Sequence, residues 1–315
     1  MRGAGVLLRW RAMAGTPAGD VAATSRGPRW LDVLRTRPLL RLPIFFVVLL
    51  AAYIGAQIVH RWVITHPLLG GEDSATLAAA LLLAAALVAL YAGLVRSLER
   101  RAARELAPRA LQAGAGVLLG LALFSSVFAL LHLVGIARWQ GISARFDVVP
   151  MLAASILAAI GEELAFRGGL FRILEESAGT AIGLALSAAL FGLLHGLNPG
   201  ATVISTAAIA LEAGVLLAAS YVLTRNLWFP IGLHLGWNFT EGGIFGVSVS
   251  GGAAGKGIFT VSLAGPTLLT GGKFGPEASL IAIAVCLALA VALLVLAVRQ
   301  GGWLPIATVR GVGSE

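Results

Sequence analysis

Apolar runs long enough, or nearly long enough, to cross a bilayer recur along this chain, at about 43–60, 75–95, 112–137, 148–166, 179–196, 201–224, 227–247 and 278–298. A helix needs ~20 residues to cross the ~30 Å hydrocarbon layer, so these runs give eight candidate spans. In lipid the backbone finds no water to bond, which leaves helices or a closed barrel as spanning structures. The runs lack the alternation of barrel strands. The expected fold class is therefore all-α, a polytopic membrane helical bundle of about eight transmembrane helices. Composition agrees: of 315 residues, 58% are hydrophobic and 12% charged, where a soluble domain carries about 25% charged residues.

The arginines fall unevenly among the loops. Arg2, Arg9, Arg11, Arg26, Arg29, Arg35, Arg37 and Arg41 precede or open the first run, and Arg96, Arg100, Arg101, Arg104 and Arg109 follow the second. Later alternate loops add Arg172, Arg225 and Arg299, whereas the opposite loops hold Glu72, Asp73 and Asp147. The positive-inside rule then places both termini in the cytoplasm, a parity that eight spans permit. The net charge of +8 is read as topology. No basic-aromatic surface accompanies it, so no nucleic-acid partner is expected.

Five segments are expected: an Arg-rich cytoplasmic segment (1–42), three spans (43–147), a four-helix core (148–247), a Gly-rich outer loop (248–277), and a last span with a short tail (278–315). The first 42 residues contain no short apolar core ending in a small-residue cleavage site. No removable signal peptide is expected, and the first span serves as an uncleaved anchor. Met13 is an alternative start to Met1. The lone Cys286 excludes a disulfide framework or a thiolate metal site within one chain, and reads as a packing residue.

Against this apolar background, Gly161-Glu-Glu-Leu-Ala-Phe-Arg167 stands out. Ionised groups at bilayer depth cost from ~2.5 kcal/mol each, so they usually face a polar cavity and pair with one another. Glu163 and Arg167 are spaced i,i+4 with the acid first, the favoured order for a helical ion pair. Glu162 projects ~100° away around the helix and is left to face the cavity. A carboxylate there suits a general base. Taken alone, the segment also fits a helix end at the membrane surface. Downstream, Phe191 and His195 share a helix face, as do His234 and Asn238. The second pair suits an oxyanion site or interhelical glue worth ~0.6–2 kcal/mol. Phe191 alone fits core packing and His195 alone an interfacial histidine. If the fourth helix runs on to a turn at 177–180, Glu162 and His195 each lie ~22 Å from that turn and match in depth. His234 is only ~12 Å from its own turn at Asn226, so either that hairpin sits deeper or the fourth helix projects beyond the bilayer. Glu212, a further acid within a span, has no motif around it.

The ordered set Glu-Glu-x-x-x-Arg, Phe-x-x-x-His and His-x-x-x-Asn resembles the CPBP intramembrane endopeptidases, across about a hundred residues from Met151 to Gly246. That family contains the CAAX prenyl endopeptidases and bacterial proteins linked to bacteriocin processing and self-immunity. The resemblance implies a glutamate-dependent peptidase in a bacterial cytoplasmic membrane, its cavity facing the cytoplasm and its substrate a membrane-associated peptide or protein. Glu162 would activate a water assisted by His195, His234 and Asn238 would hold the oxyanion, and Glu163 with Arg167 would keep the helix in place. Two histidines and a glutamate are also zinc ligands in type, which leaves zinc and a metalloendopeptidase reading open. The soluble signature His-Glu-x-x-His is absent, and the resemblance implies catalysis with no cofactor. Two other classes compete: a proton-coupled permease using Glu162, His195 and Glu212 as a relay, and a non-catalytic scaffold or immunity factor. The permease reading calls for inverted repeats, and none is visible.

Overall fold

A computed structural model describes residues 33–34, 36–66 and 73–306. The N-terminal segment through residue 32, Arg35, Glu72 and the tail from residue 307 lie outside the described residues, as do Met1 and Met13. Each apolar run is helical. In order they are α1 (Pro38–Thr65), α2 (Asp73–Leu94), α3 (Ala110–Leu133), α4 (Val148–Ala178), α5 (Thr180–His195), α6 (Val203–Thr224), α7 (Trp228–Asn238) and α8 (Leu280–Arg299). Six of them, α1–α4, α6 and α8, are long and apolar enough to cross a membrane, while α5 is a shorter apolar helix. In α7 the regular part is 11 residues, extended by a wider π-helical stretch, Phe239–Ile244.

Three details depart from the expectation. The third run was expected to reach 137, but α3 stops at Leu133, because the chain turns at Gly135 with φ of 79°. It then forms strand β1 (Ala137–Ile142), which pairs antiparallel with β2 (Phe259–Leu263) inside the Gly-rich stretch expected to be loop. Apolarity marks membrane depth and says little about where a helix ends. Arg172, expected in a loop, lies on α4, which is 31 residues long. At 1.5 Å per residue it extends ~46 Å, past the ~30 Å hydrocarbon layer, so its last turns project beyond it.

Those projecting turns meet the ends of α1, α2, α6 and α8 in a charge network. Arg172 grips Glu99 through both Nη atoms, at 3.1 and 2.7 Å. Arg41 reaches Glu99 and Glu176, Arg225 reaches Glu175 and the Gly302 carbonyl, and Arg101 donates to Glu105. Burial alone would push the Glu105 carboxyl up. Hydrogen bonds from Arg101 and the charges of Arg172 and Arg101 outweigh it and hold the group at about 2.

α7 is seated by glycine. Gly116 and Gly120 on α3 face Gly232 and Gly236 on α7, two small-xxx-small stripes that let backbones touch. A Cβ on Gly120 would stand 2.2 Å from the Leu233 carbonyl oxygen, and one on Gly232 would stand 2.2 Å from that of Ala113. Gly120→Val should therefore cost at least about 1–3 kcal/mol through overpacking. Thermal unfolding in detergent checks this against Gly114→Val, whose added Cβ would meet nothing within 4 Å. Equal melting temperatures for the two variants would contradict the close crossing.

Candidate active site

The site assembles where α4 changes its winding. Regular α-helix ends at Glu163, and Leu164–Phe171 is π-helical, a form often found at functional sites. The Arg167 Nη1 group donates to Glu163 Oε1 at 2.9 Å. Its Nη2 group donates to the carbonyls of Ala213 and Gly214, at 3.0 and 3.2 Å, on the π-helical turn of α6. Arg167 also lies 4.6 Å above the Phe191 ring of α5. One buried guanidinium thus ties three helices together, at 1% exposure. The i,i+4 spacing foretold only the Glu163 contact.

Glu163 has a second partner, His234 Nδ1 at 3.0 Å. A carboxylate ionised opposite arginine only accepts, so Nδ1 carries the proton. His195 is oriented in the same manner, with Nδ1 2.9 Å from the Phe191 carbonyl. Both rings therefore turn Nε2 toward Glu162. The Glu162 Oε2 atom lies 3.8 Å from His195 Nε2 and 4.0 Å from His234 Nε2, and it has no hydrogen-bond partner. These gaps are too long for direct bonds and suit a bridging water. The other oxygen, Oε1, accepts a hydrogen bond from the Tyr53 hydroxyl of α1 at 2.9 Å.

A small cavity opens beside the imidazoles, lined by Phe191, His195, Glu212, His234, Trp237, Asn238, Ser250 and Glu277 among others. Glu162 is not on its wall, so the two histidines link the acid to the open space. Phe191 packs its ring 4.4 Å from that of His195 and so walls the histidine. Asn238 lines the same cavity one turn along α7 from His234. Glu212, left without a role by the sequence, is buried on the same wall, and Glu277 arrives from the stretch read as a loop. Its Oε1 accepts from the Ser250 amide at 2.6 Å, and burial raises its carboxyl.

Residues 144–240 match the family model described as type II CAAX prenyl endopeptidase, Rce1-like. This segment is similar to the Rce1-like endopeptidases. It contains all three motifs and agrees with the resemblance to the CPBP endopeptidases. α1–α3 and α8 lie outside the Rce1-like match. Comparisons with curated proteins and with solved structures gave no match. The family is one of intramembrane endopeptidases, and six helices among the described residues are long and apolar enough to cross a membrane, as an integral membrane protein needs. The metalloendopeptidase reading finds no support. Among the described residues, no group of three or more His, Cys, Asp and Glu side chains is placed to hold a metal ion.

Sequence reasoning missed Tyr53, Trp237, Ser250 and Glu277 as neighbours of the site. A signal for Tyr53 existed: Gln57 follows it at i+4, placing two polar groups on one face of an otherwise apolar span.

Proposed function

We propose that this chain hydrolyses a peptide bond within the membrane, with Glu162 as the base that activates water. The observation carrying this reading is the unpartnered Oε2 of Glu162, set between two Nε2 atoms at the spacing a bridging water needs. A water there gives one hydrogen to Glu162 and the other to the lone pair of His195 Nε2, which leaves its oxygen free to attack. As the oxygen adds to the carbonyl carbon, Glu162 takes its proton and later passes it to the leaving amine. The C–N bond then breaks to an acid and an amine.

Asn238 and His234 hold the developing oxyanion. His234 already donates Nδ1–H to Glu163, so donation from Nε2 as well requires the doubly protonated ring, with Glu163 supplying the counter-charge. The Glu163–Arg167 pair keeps these parts in register. The substrate is a membrane-associated peptide or protein. The arginine-rich end of the bundle, with Arg100, Arg104, Arg109 and Arg225, faces the cytoplasm by the positive-inside rule.

The direct test compares membrane peptides from cells making the wild-type chain with those from cells making Glu162→Gln. Cleavage products present in the first and missing from the second support hydrolysis, whereas identical peptide sets speak against it. Water activated by a carboxylate needs no ion. Cleavage by the purified chain should therefore stay within twofold after incubation with EDTA or 1,10-phenanthroline. Loss on chelation, restored by zinc, would place a metal in the reaction.

A further inference from the structure

We infer that Tyr53, on the first helix and outside the Rce1-like segment, positions Glu162 for the reaction. The inference rests on the reading of Glu162 as the base. Three contacts carry it. The Tyr53 hydroxyl donates to Glu162 Oε1 at 2.9 Å. The Gln57 side-chain amide, one turn along α1, donates to the Tyr53 oxygen at 2.8 Å. A Cβ on Gly161 would stand 2.2 Å from Tyr53 Cδ2, so only glycine lets the ring lie against α4 beside the acid.

A phenol has one proton. With Gln57 donating to its oxygen, Tyr53 spends that proton on Glu162, and the direction Gln57 to Tyr53 to Glu162 is set. The bond holds Oε1 on the α1 side and leaves Oε2 between His195 and His234. Without it, Glu162 is free to rotate away from the imidazoles, since Oε2 has no hydrogen-bond partner of its own. Tyr53 does not line the cavity and bonds Glu162 from the α1 side, so it acts on the reaction through Glu162. It is a positioning residue, and the first helix is part of the working site.

The test uses the full chain in lipid nanodiscs. The probe is a quenched-fluorescent peptide built on a cleavage site mapped by the peptide comparison above. Tyr53→Phe keeps the ring against Gly161 and removes only the hydroxyl. Misplacing a reacting group by an ångström costs up to ~10²-fold, so kcat should fall roughly 10- to 100-fold. KM and melting temperature should stay unchanged. Gln57→Leu should lower kcat in the same direction by a smaller factor. It decides by the same split should Tyr53→Phe fail to fold. An unchanged kcat, or a loss lying wholly in KM, overturns the inference. Glu162→Gln separates the two levels. If it is inactive while Tyr53→Phe is normal, only the positioning role fails, and if it is fully active, the hydrolytic reading fails.

Discussion

Glu162→Gln lowers kcat by about 10²–10⁴-fold, the range expected when a general base is lost, and leaves folding and membrane insertion intact. Glutamine keeps the length and shape of the side chain. Its carbonyl oxygen still accepts the Tyr53 hydroxyl bond seen at 2.9 Å. The amide NH2 then occupies the position of Oε2, between the two Nε2 atoms, and it cannot take a proton from water. Stability is preserved because the carboxylate makes no ion pair closer than 3.8 Å and packs no core. Glu162→Asp should retain basicity but withdraw it by one methylene, giving a smaller loss. Single-turnover cleavage by purified protein in proteoliposomes measures both. Glu162→Gln cleaving at the wild-type rate would remove Glu162 from the chemistry. Retention of full cellular function without cleavage would favour a scaffold, and a proton flux lost in the variant would favour transport.

The second large effect is on stability. Arg167→Ala should cost about 3–5 kcal/mol, because removing one partner of a buried ion pair leaves the other charge uncompensated. Glu163 would remain at 0% exposure with only His234 beside it. The carbonyls of Ala213 and Gly214 would lose the donor that approaches at 3.0 and 3.2 Å, an added cost for buried acceptors. Phe191 would lose the guanidinium above its ring. The double variant Glu163→Gln/Arg167→Met removes both charges while keeping most of the volume, and should be more stable than Arg167→Ala. Unfolding in detergent over an SDS or temperature gradient provides the comparison. A cost below about 1 kcal/mol for Arg167→Ala, the level of an exposed pair, would show that the clamp holds nothing. Activity should fall with stability, since Glu163 is also what orients His234.

Some features of the molecule are local, and those were legible in the chain. Runs of apolar residues at membrane length dictate helices, because lipid offers the backbone no other partner. The Glu163–Arg167 pair follows from i,i+4 spacing, and the division of labour between Glu162 and Glu163 from 100° per residue. Counting from a turn near Gly179, where φ is 89°, sets Glu162 and His195 at one depth, and their side chains meet at 3.8 Å. Apolarity was a poorer guide to endings. It ran α3 past Gly135, and it left open whether α4 continues through Arg172.

What required the folded chain is everything that depends on the rotation and depth of one helix against another. The depth of His234 was open, and packing sets it level with Glu163, which its Nδ1 meets at 3.0 Å. The bond from His234 to Glu163, the Tyr53 hydroxyl on Glu162, and the arrival of Glu277 at the cavity all join residues far apart in the chain. Side-chain spacing along one helix repeats every 3.6 residues and is written in the sequence. The angle at which that helix presents its face to a neighbour is decided by backbone contacts such as Gly120 on Leu233, and these exist only once both helices are packed.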